Sequence, residues 1–226
     1  MKGIFTFIVL GIIFLRAEVN HNLLDKIRIL RHGVEGWCSE EKTRLIVETI
    51  LSAKPEVCAE IGVFGGSSIL PVAMTLKTLG KGKVYAIDPW ITNECLKGQS
   101  KIVADWWNRV NLEQIFQSYT QMISRNNLTD FVETLRMTSQ EAVCHVPQEI
   151  DLLHIDGNHS TDAVKTDVSL YFPRVKKGGY IFCDDWLWKI NGKFSTRPIY
   201  ETMLSKCDVI AEVDKGNCVL LRKVEL

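Results

Sequence analysis

Three aspartates stand at the ends of two apolar segments in the second half of the chain. Asp156 closes residues 150–156, and Asp184 and Asp185 follow the apolar part of residues 178–184. If these segments are neighbouring strands of a parallel sheet, the three carboxylates meet at one edge and repel one another. A hard divalent cation such as Mg²⁺ would relieve that repulsion, which predicts a metal site at Asp156, Asp184 and Asp185. The alternative is that one carboxylate points inward and the others cap helices or contact water.

A histidine follows the first of these aspartates within the sequence DGNHS. His159 is placed where it could remove the proton of a hydroxyl group beside a metal. The competing interpretation is a histidine at the start of a helix that bonds a backbone group. Asn158 offers a carbonyl ligand or a contact that orients a substrate. His154 lies inside the apolar segment and is expected in the core or behind the ligand-binding residues.

A glycine-rich turn follows another apolar segment, in the sequence AEIGVFGGSS at residues 59–68. Parallel α/β sheets bind nucleotide-like ligands beyond the carboxyl ends of their strands, and glycine lets the backbone approach the ligand closely. The residues expected to hold a ligand here are Glu60, Gly62, Gly65, Gly66, Ser67 and Ser68. Glu60 would accept hydrogen bonds from ligand hydroxyls or amines. A structural turn without a ligand is the alternative.

Two further positions suit a nucleoside. Asp88 ends the next apolar segment, where nucleotide-binding folds hold ribose hydroxyls. Its other interpretation is an acid that caps the turn containing Trp90. Ser139 and Gln140 begin a short predicted helix after the third apolar segment, where their side chains would meet the edge of an adenine. Ser139 would also act as the N-cap of that helix.

The apolar segments predict the sheet that positions these residues. Five strands are expected to begin near positions 57, 83, 131, 150 and 178, separated by helical patterns. Residues 208–213 and 217–223 are predicted to form a closing hairpin, because the link between them is short. A doubly wound, mostly parallel seven-stranded α/β sheet with an antiparallel last strand follows, in one domain spanning residues 19–226.

The helical patterns are expected over residues 22–31 and from the N-cap Ser39 to residue 53. Residues 92–101 are polar and predicted as a loop, and residues 105–125 are predicted as one long helix. Aromatic side chains are expected together near the rim of the site, where they suit a flat or apolar acceptor or a lid. These are Trp90, Trp106, Trp107, Trp186 and Trp188.

The composition limits which binding partners and which cellular location are expected. The chain has 226 residues with 27 basic and 27 acidic side chains, so no overall attraction to nucleic acid or an anionic membrane is expected. Its seven cysteines lack CxxC spacing, which argues against a disulfide framework or zinc site. Residues 4–15, within an N-terminal segment 1–18, form an apolar run too short to span a bilayer comfortably. The expected location is cytoplasmic, with or without peripheral membrane contact through that run, and export by a signal peptide is the alternative.

Together these motifs resemble the class I S-adenosylmethionine-dependent methyltransferases, and among them methyltransferase family 24. The resemblance rests on residues 60–67, 88–90, 155–160 and 178–186, and it covers the chain from about residue 34 to the C-terminus. It implies a seven-stranded sheet and S-adenosyl-L-methionine as cofactor. The methionine and ribose would contact the glycine turn, with further contacts from Asp88, Ser139, Gln140 and Asp156.

The resemblance also implies a reaction. Metal-dependent O-methyltransferases of the catechol and antibiotic-sugar types carry metal ligands at positions matching Asp156, Asp184 and Asp185. Their base is a lysine matching His159 or an acid matching Asn158, so this chain departs from the pattern and His159 is the expected substitute. The implied activity is Mg²⁺-assisted O-methylation of a small hydroxylated acceptor, by a monomer or a homo-oligomer. The alternatives are a cofactor-binding protein of this fold without transferase activity, or a cephalosporin-hydroxylase-like enzyme.

Overall fold

The computed structural model describes residues 21–225. The predicted N-terminal segment 1–18, with its apolar run, lies outside the described residues. None of the helices in the described range is long and apolar enough to cross a membrane.

Helices cover both faces of a central sheet. They are α1 His21–Arg31, α2 Glu40–Ala53, α3 Ile69–Leu79, α4 Thr92–Leu96, α5 Lys101–Trp107, α6 Leu112–Arg125, α7 Ser139–Ala142, α8 Thr161–Tyr171 and α9 Arg197–Tyr200. The strands are β1 Val57–Ile61, β2 Lys83–Ile87, β3 Val132–Leu135, β4 Ile150–Ile155, β5 Val175–Cys183, β6 Lys189–Ile190, β7 Lys193–Phe194, β8 Cys207–Val213 and β9 Cys218–Lys223. Short 3₁₀ turns follow α8, α9 and β8.

The main sheet has seven strands in the order β3-β2-β1-β4-β5-β9-β8. The pairs from β3 to β5 are parallel, and β9 is antiparallel to both β5 and β8. The predicted doubly wound, mostly parallel fold with an antiparallel last strand is therefore confirmed. Strand order reverses between β1 and β4, and such a switch point opens a crevice at the carboxyl ends of the strands.

Alternation along the strands divides the core into two layers. Leu152 of β4 packs in the layer under α1, α2, α3 and α6, whereas Leu153 packs in the layer under α7, α8 and α9. Successive side chains of a strand point to opposite faces, so each strand contributes to both layers. The same parity places Glu60, His154 and Asp184 on the α2 side of the sheet.

Local capping explains where the helices begin. The Ser39 side chain accepts a hydrogen bond from the backbone N–H of Lys42 at 2.9 Å, so Ser39 is the N-cap of α2, as its sequence predicts. Helix α7 begins at Ser139 as predicted, but the prediction of Ser139 as its N-cap was wrong. Its N-cap is Thr138, which forms a reciprocal capping box with Glu141, and Ser139 is the first helical residue.

Two predicted boundaries before β3 were wrong. Residues 92–101 are not a loop, since α4 and the first residue of α5 lie there. Residues 105–125 are not one helix but two, because the chain turns after α5 and Asn111 caps α6 by accepting a hydrogen bond from the Gln114 N–H at 3.1 Å. An asparagine inside a helical pattern favours such a break, because its side chain competes for backbone groups. The β6–β7 hairpin was not predicted.

Candidate active site

The carboxyl ends of the central strands bring the predicted residues to one edge. The ladder of backbone hydrogen bonds continues one residue past each strand, from Gly62 N–H to Ile87, from Asp156 N–H to Ile61 and from Asp184 N–H to Ile155. These bonds measure 2.9, 2.8 and 3.1 Å. The glycine turn and the first two aspartates therefore flank the crevice between β1 and β4 and its continuation along β5.

The glycines of the turn are required by their surroundings. Gly62 has φ +87°, and a Cβ atom there would lie 2.0 Å from the carbonyl oxygen of Asp156. A Cβ atom on Gly65 would lie 2.4 Å from the carbonyl oxygen of Glu35, and Gly66 has φ +86°. Non-glycine residues rarely adopt such conformations, so the turn can pass this close to β4 and to the loop before α2 only with glycine.

Glu60 faces the protein interior and not open solvent. Its side chain is 1% exposed; the Ser68 hydroxyl donates to one carboxylate oxygen at 2.6 Å, and His154 Nδ1 lies 3.1 Å from the other. Ser67 and Ser68 are buried as well. Through these two contacts Glu60 links the glycine turn, at Ser68, to strand β4, at His154.

Asp88 caps the glycine turn. One carboxylate oxygen accepts from the backbone N–H groups of Val63 and Phe64 at 3.0 Å each, and the other accepts from Trp90 N–H at 2.7 Å. Burial raises the pKa of Asp88, and these three bonds oppose that rise. Asp88 thus caps the turn, as one of its two interpretations predicted. Its two carboxylate oxygens can accept about four hydrogen bonds, so one acceptor site is left for a ribose hydroxyl.

Ser139 lies beside a buried acid that the sequence motifs did not identify. Its hydroxyl donates to Asp167 Oδ1 on α8, and Asp167 Oδ2 would lie 3.2 Å from a Cβ atom on Gly157. Gln140 is exposed next to it. Burial raises the pKa of Asp167 to about 7, although the hydrogen bond from Ser139 opposes the rise.

Replacing Asp167 by asparagine should stabilise the protein at pH 8 but not at pH 4. A folded-state pKa of about 7 against 3.8 means that the wild type loses stability as pH rises through that window. The asparagine side chain keeps an acceptor for Ser139 without the charge, so the free energy of unfolding should rise by roughly 2–4 kcal/mol at pH 8. Urea unfolding at both pH values measures this, with Asp130→Asn on an exposed loop as control. An equal effect at pH 4 would contradict it.

A buried lysine occupies the centre of the aspartate cluster. Lys42 of α2 is 2% exposed, and its Nζ lies 2.5 Å from Asp184 Oδ2 and 3.8 Å from Asp156 Oδ2. His154 Nε2 contacts the same Asp184 oxygen at 2.6 Å. Burial lowers the pKa of Lys42, but the charges of Asp156 and Asp184 outweigh it and raise that pKa well above its usual range.

His154 and Asp184 hold each other in their charged forms. Burial lowers the pKa of His154, but the carboxylates of Glu60 and Asp184 raise it to about 10. Burial likewise raises the pKa of Asp184, but the His154 hydrogen bond and the Lys42 charge hold it well below its ordinary value. Glu60, His154, Asp184 and Lys42 thus form one chain of alternating charges beneath the crevice.

The third aspartate belongs to a separate, more open group. Asp185 Oδ2 lies 3.2 Å from His159 Nε2, and both side chains are about one-fifth exposed, 20% and 22%. Asn217 donates to the other Asp185 oxygen at 3.2 Å, and the ring of Trp188 lies 4.8 Å from that of His159. Among residues 21–225, no protein group bonds His159 Nδ1.

Two groups of possible metal ligands occur in the described part of the chain. One is His154, Asp156 and Asp184, and the other is Asp156, His159 and Asp185, with ligand atoms within 4.8 Å of one another. The predicted set of three aspartates is divided between them. Burial raises the pKa of Asp156, and the negative charge of Asp184 adds to the rise, so a proton or cation is favoured beside it.

The side chain of Asn158 forms hydrogen bonds within the protein. Its amide donates to the carbonyl oxygens of Glu94 and Lys97, and its own oxygen accepts from Gln99 and from the Ser160 N–H. It thereby fastens the end of α4 to the end of β4. Its oxygen already has two protein partners.

The predicted tryptophan cluster is dispersed. Trp90 is 3% exposed and stacks on Tyr119, so it belongs to the core. Trp106 and Trp107 both pack with Phe64 of the glycine turn, and Trp106 also packs with Trp37, which is 67% exposed and was not predicted. The other two lie apart, with Trp186 on Tyr200 and Trp188 on His159.

Sequence reasoning missed Lys42 and Asp167. Lys42 sits in the first turn of a helix among charged residues, where lysines are ordinarily solvated. The one signal in the sequence for the contact between Glu60 and His154 is that each interrupts an apolar strand segment, and the structure pairs them in register on the adjacent strands β1 and β4. Nothing local in the sequence indicates the burial of Lys42.

The seven-stranded sheet, with a glycine turn and acids around its switch point, defines the Rossmann-like fold of class I methyltransferases. Residues 59–186 match the family described as methyltransferase domain, family 24. The chain therefore belongs to this family, within the class I S-adenosylmethionine-dependent methyltransferases.

A viral protein is similar to part of this chain. "Uncharacterized protein R132" of Acanthamoeba polyphaga mimivirus is 32% identical over 127 residues, 56% of this chain. The match spans half the length of that relative.

Three solved structures share the fold. Cofactor-bound Rv0187 from MTB has TM-score 0.64 and 13% identity, covering 93% of this chain and 94% of that one. The O-methyltransferase from Bacillus cereus in complex with SAH has TM-score 0.61 and 14% identity, with coverage of 93% and 94%. TomG from Streptomyces achromogenes, in complex with SAM, has TM-score 0.62 and 14% identity, with 96% of each chain covered.

Proposed function

We propose that the protein is an O-methyltransferase that moves the methyl group of S-adenosylmethionine to a hydroxyl of a small acceptor. The observation that carries this proposal is the partly exposed pair of His159 and Asp185 at the same sheet edge as the glycine turn. The fold shared with O-methyltransferases that bind SAM or SAH supports the choice of cofactor and of oxygen as the methylated atom.

The cofactor is proposed to lie in the crevice between β1 and β4. The turn from Gly62 to Gly66 would carry the methionine part, since its backbone can approach a ligand there. Asp88 would accept from a ribose hydroxyl with its remaining lone pairs. Ser139 and Gln140 would border the adenine, and Asp156 would face the sulfonium end. Glu60, Ser67 and Ser68 are assigned the role of shaping the turn, because they are buried.

His159 is the proposed general base. The Asp185 carboxylate contacts Nε2, which favours a proton on that nitrogen and leaves Nδ1 as the acceptor. In the Ser-His-Asp triad a carboxylate sets the tautomer of the histidine in a comparable way, but through Nδ1, with Nε2 as the base. Trp188 packs against the imidazole and restricts its orientation.

The chemistry then needs one proton transfer and one displacement. S-adenosylmethionine supplies an electrophilic methyl group on a sulfonium. His159 Nδ1 takes the acceptor's hydroxyl proton while the oxygen's electron pair forms the new bond to the methyl carbon. The electrons of the broken carbon–sulfur bond stay on sulfur. Holding the oxygen in line with that bond is the main contribution expected of the protein.

The predicted Mg²⁺ site at Asp156, Asp184 and Asp185 fits the side chains poorly. The inward oxygen of Asp184 already meets Lys42 at 2.5 Å and His154 at 2.6 Å, and the Asp184 side chain is 5% exposed. A divalent ion bridging Asp156 and Asp184 would lie against an ammonium group. No step of the proposed reaction is therefore assigned to a metal.

The test of this function begins with a screen of hydroxylated acceptors using methyl-labelled cofactor, and with calorimetry using S-adenosylhomocysteine. His159→Ala should lower kcat at least about 100-fold, the range expected for loss of a general base. Its affinity for S-adenosylhomocysteine should stay within about twofold, since the base does not hold the cofactor. His145→Ala, at an exposed histidine, is the matched control. Unchanged turnover in His159→Ala would remove the base, and absence of S-adenosylhomocysteine binding by the wild type would refute the function.

A further inference from the structure

Lys42 occupies a position where a lysine is costly. It lies in the first turn of α2, where its backbone N–H donates to the capping side chain of Ser39, and only 2% of it is exposed. A cation near a helix N-terminus opposes the helix dipole, and a buried ammonium loses its hydration. Such a residue persists only if nearby negative charge compensates for both costs.

The compensating charge comes from two aspartates at the strand ends. The ammonium contacts Asp184 at 2.5 Å and reaches Asp156 at 3.8 Å, so it lies where an ion shared by these two carboxylates would lie. Beneath it, His154 faces Glu60 and Asp184. The two cations Lys42 and His154 thus match the two carboxylates Glu60 and Asp184, and no further positive charge is required at Asp184.

We propose that the Lys42 ammonium is the permanent cation of this site, and that methyl transfer by this chain requires no divalent metal at Asp156, Asp184 or Asp185. The inference deepens the proposed function and rests on it. Lys42 does not touch the acceptor in this account. It is a positioning residue that holds both carboxylates at the sheet edge and sets the electrostatic potential beside His159.

The proposal predicts that removing the lysine creates a metal site. Lys42→Met keeps an unbranched side chain of similar length but leaves Asp156 and Asp184 without their shared cation. The full-length wild type should show no Mn²⁺ binding at Asp184. The variant should bind one Mn²⁺ per chain at least about tenfold more tightly than the wild type, because oxygen ligands freed of an ammonium suit a hard cation. Lys42→Met/Asp184→Asn should lose that gain.

Electron paramagnetic resonance measures the Mn²⁺ affinity of each variant. Thermal unfolding with and without Mn²⁺ measures the shift of its midpoint, and neither experiment needs an acceptor. Mn²⁺ should raise the midpoint of Lys42→Met and leave that of the wild type unchanged. A purely structural role for Lys42 would destabilise the variant without creating a Mn²⁺ site. Failure of the proposed function would appear separately, as absence of S-adenosylhomocysteine binding.

Three results would overturn the proposal. The first is stoichiometric Mn²⁺ binding by the wild type that Asp184→Asn abolishes. The second is wild-type binding that only His159→Ala or Asp185→Asn abolishes, which would place the metal at the more open group. The third is a folded Lys42→Met that binds no more Mn²⁺ than the wild type. If Lys42→Met does not fold, Lys42→Gln takes its place, and the wild-type and Asp184→Asn measurements still decide the first result.

Discussion

Replacing His154 by leucine should lower the free energy of unfolding by about 3–5 kcal/mol, the range measured when one partner of a buried ion pair is removed. His154 is 1% exposed and stands between two carboxylates, with Asp184 at 2.6 Å and Glu60 at 3.1 Å. Leucine has a similar volume, so the loss comes from the two buried acids and not from a cavity. Glu60 would keep its bond from the Ser68 hydroxyl and Asp184 would keep Lys42, but both acids would lose the imidazolium between them.

Urea unfolding at pH 7 of the wild type, His154→Leu and His154→Gln measures this effect. Glutamine keeps a hydrogen-bonding group without the positive charge and should fall between the other two. His145→Leu is the control, because that histidine is exposed and should change stability by less than about 0.5 kcal/mol. If His154→Leu costs no more than this control, the alternating chain of charges does not stabilise the fold.

The pH dependence gives a second readout on the same residue. The pKa of His154 is raised from 6.5 to about 10 in the folded protein, so its stabilising contribution is complete below pH 6.5. That contribution is lost as pH rises through about 10. The stability difference between wild type and His154→Leu should therefore shrink steadily from pH 7 to pH 10. A constant difference would show that His154 acts by packing alone.

The positions of the strands and of the glycine turn followed from the sequence because they depend on local pattern. Short, nearly continuous apolar runs, and the glycine turn after the first of them, specify β1, β2, β4 and β5 with little influence from the rest of the chain. The ends of these strands then place Gly62, Asp88, Asp156 and Asp184 on one edge. That inference needs only the parallel topology.

The ion pairs of the site could not be predicted from the sequence, because they depend on packing between segments that are distant along the chain. Lys42 and Asp184 are 142 residues apart, and their contact requires the first turn of α2 to lie beside the carboxyl ends of β4 and β5. From the sequence motif alone, Asp184 was predicted to be a metal ligand, whereas in the folded protein it contacts the two cations Lys42 and His154. The turn after α5 was missed for a related reason, since apolar residues continue on both sides of it and only the Asn111 cap marks the break.

Replacing Gly62 by alanine should disrupt both stability and cofactor binding. The added Cβ would lie 2.0 Å from the Asp156 carbonyl oxygen and 2.4 Å from its carbonyl carbon, which are backbone atoms that no rotamer change can move. The φ of +87° adds strain for a residue with a side chain. Together these effects should cost about 2–5 kcal/mol of stability.

The matched control separates backbone strain from collision. Gly80 also has positive φ, at +69°, but a Cβ atom there would meet nothing within 4 Å. Gly80→Ala should therefore cost only about 1 kcal/mol and leave S-adenosylhomocysteine affinity unchanged. Gly62→Ala should weaken that affinity at least about tenfold, because β1 and β4 must separate at the crevice where the cofactor is proposed to lie. If both variants lower the thermal midpoint equally and keep the wild-type cofactor affinity, the glycine turn does not bind the cofactor. A selective loss of affinity in Gly62→Ala would tie the close approach of Gly62 to Asp156 directly to cofactor binding.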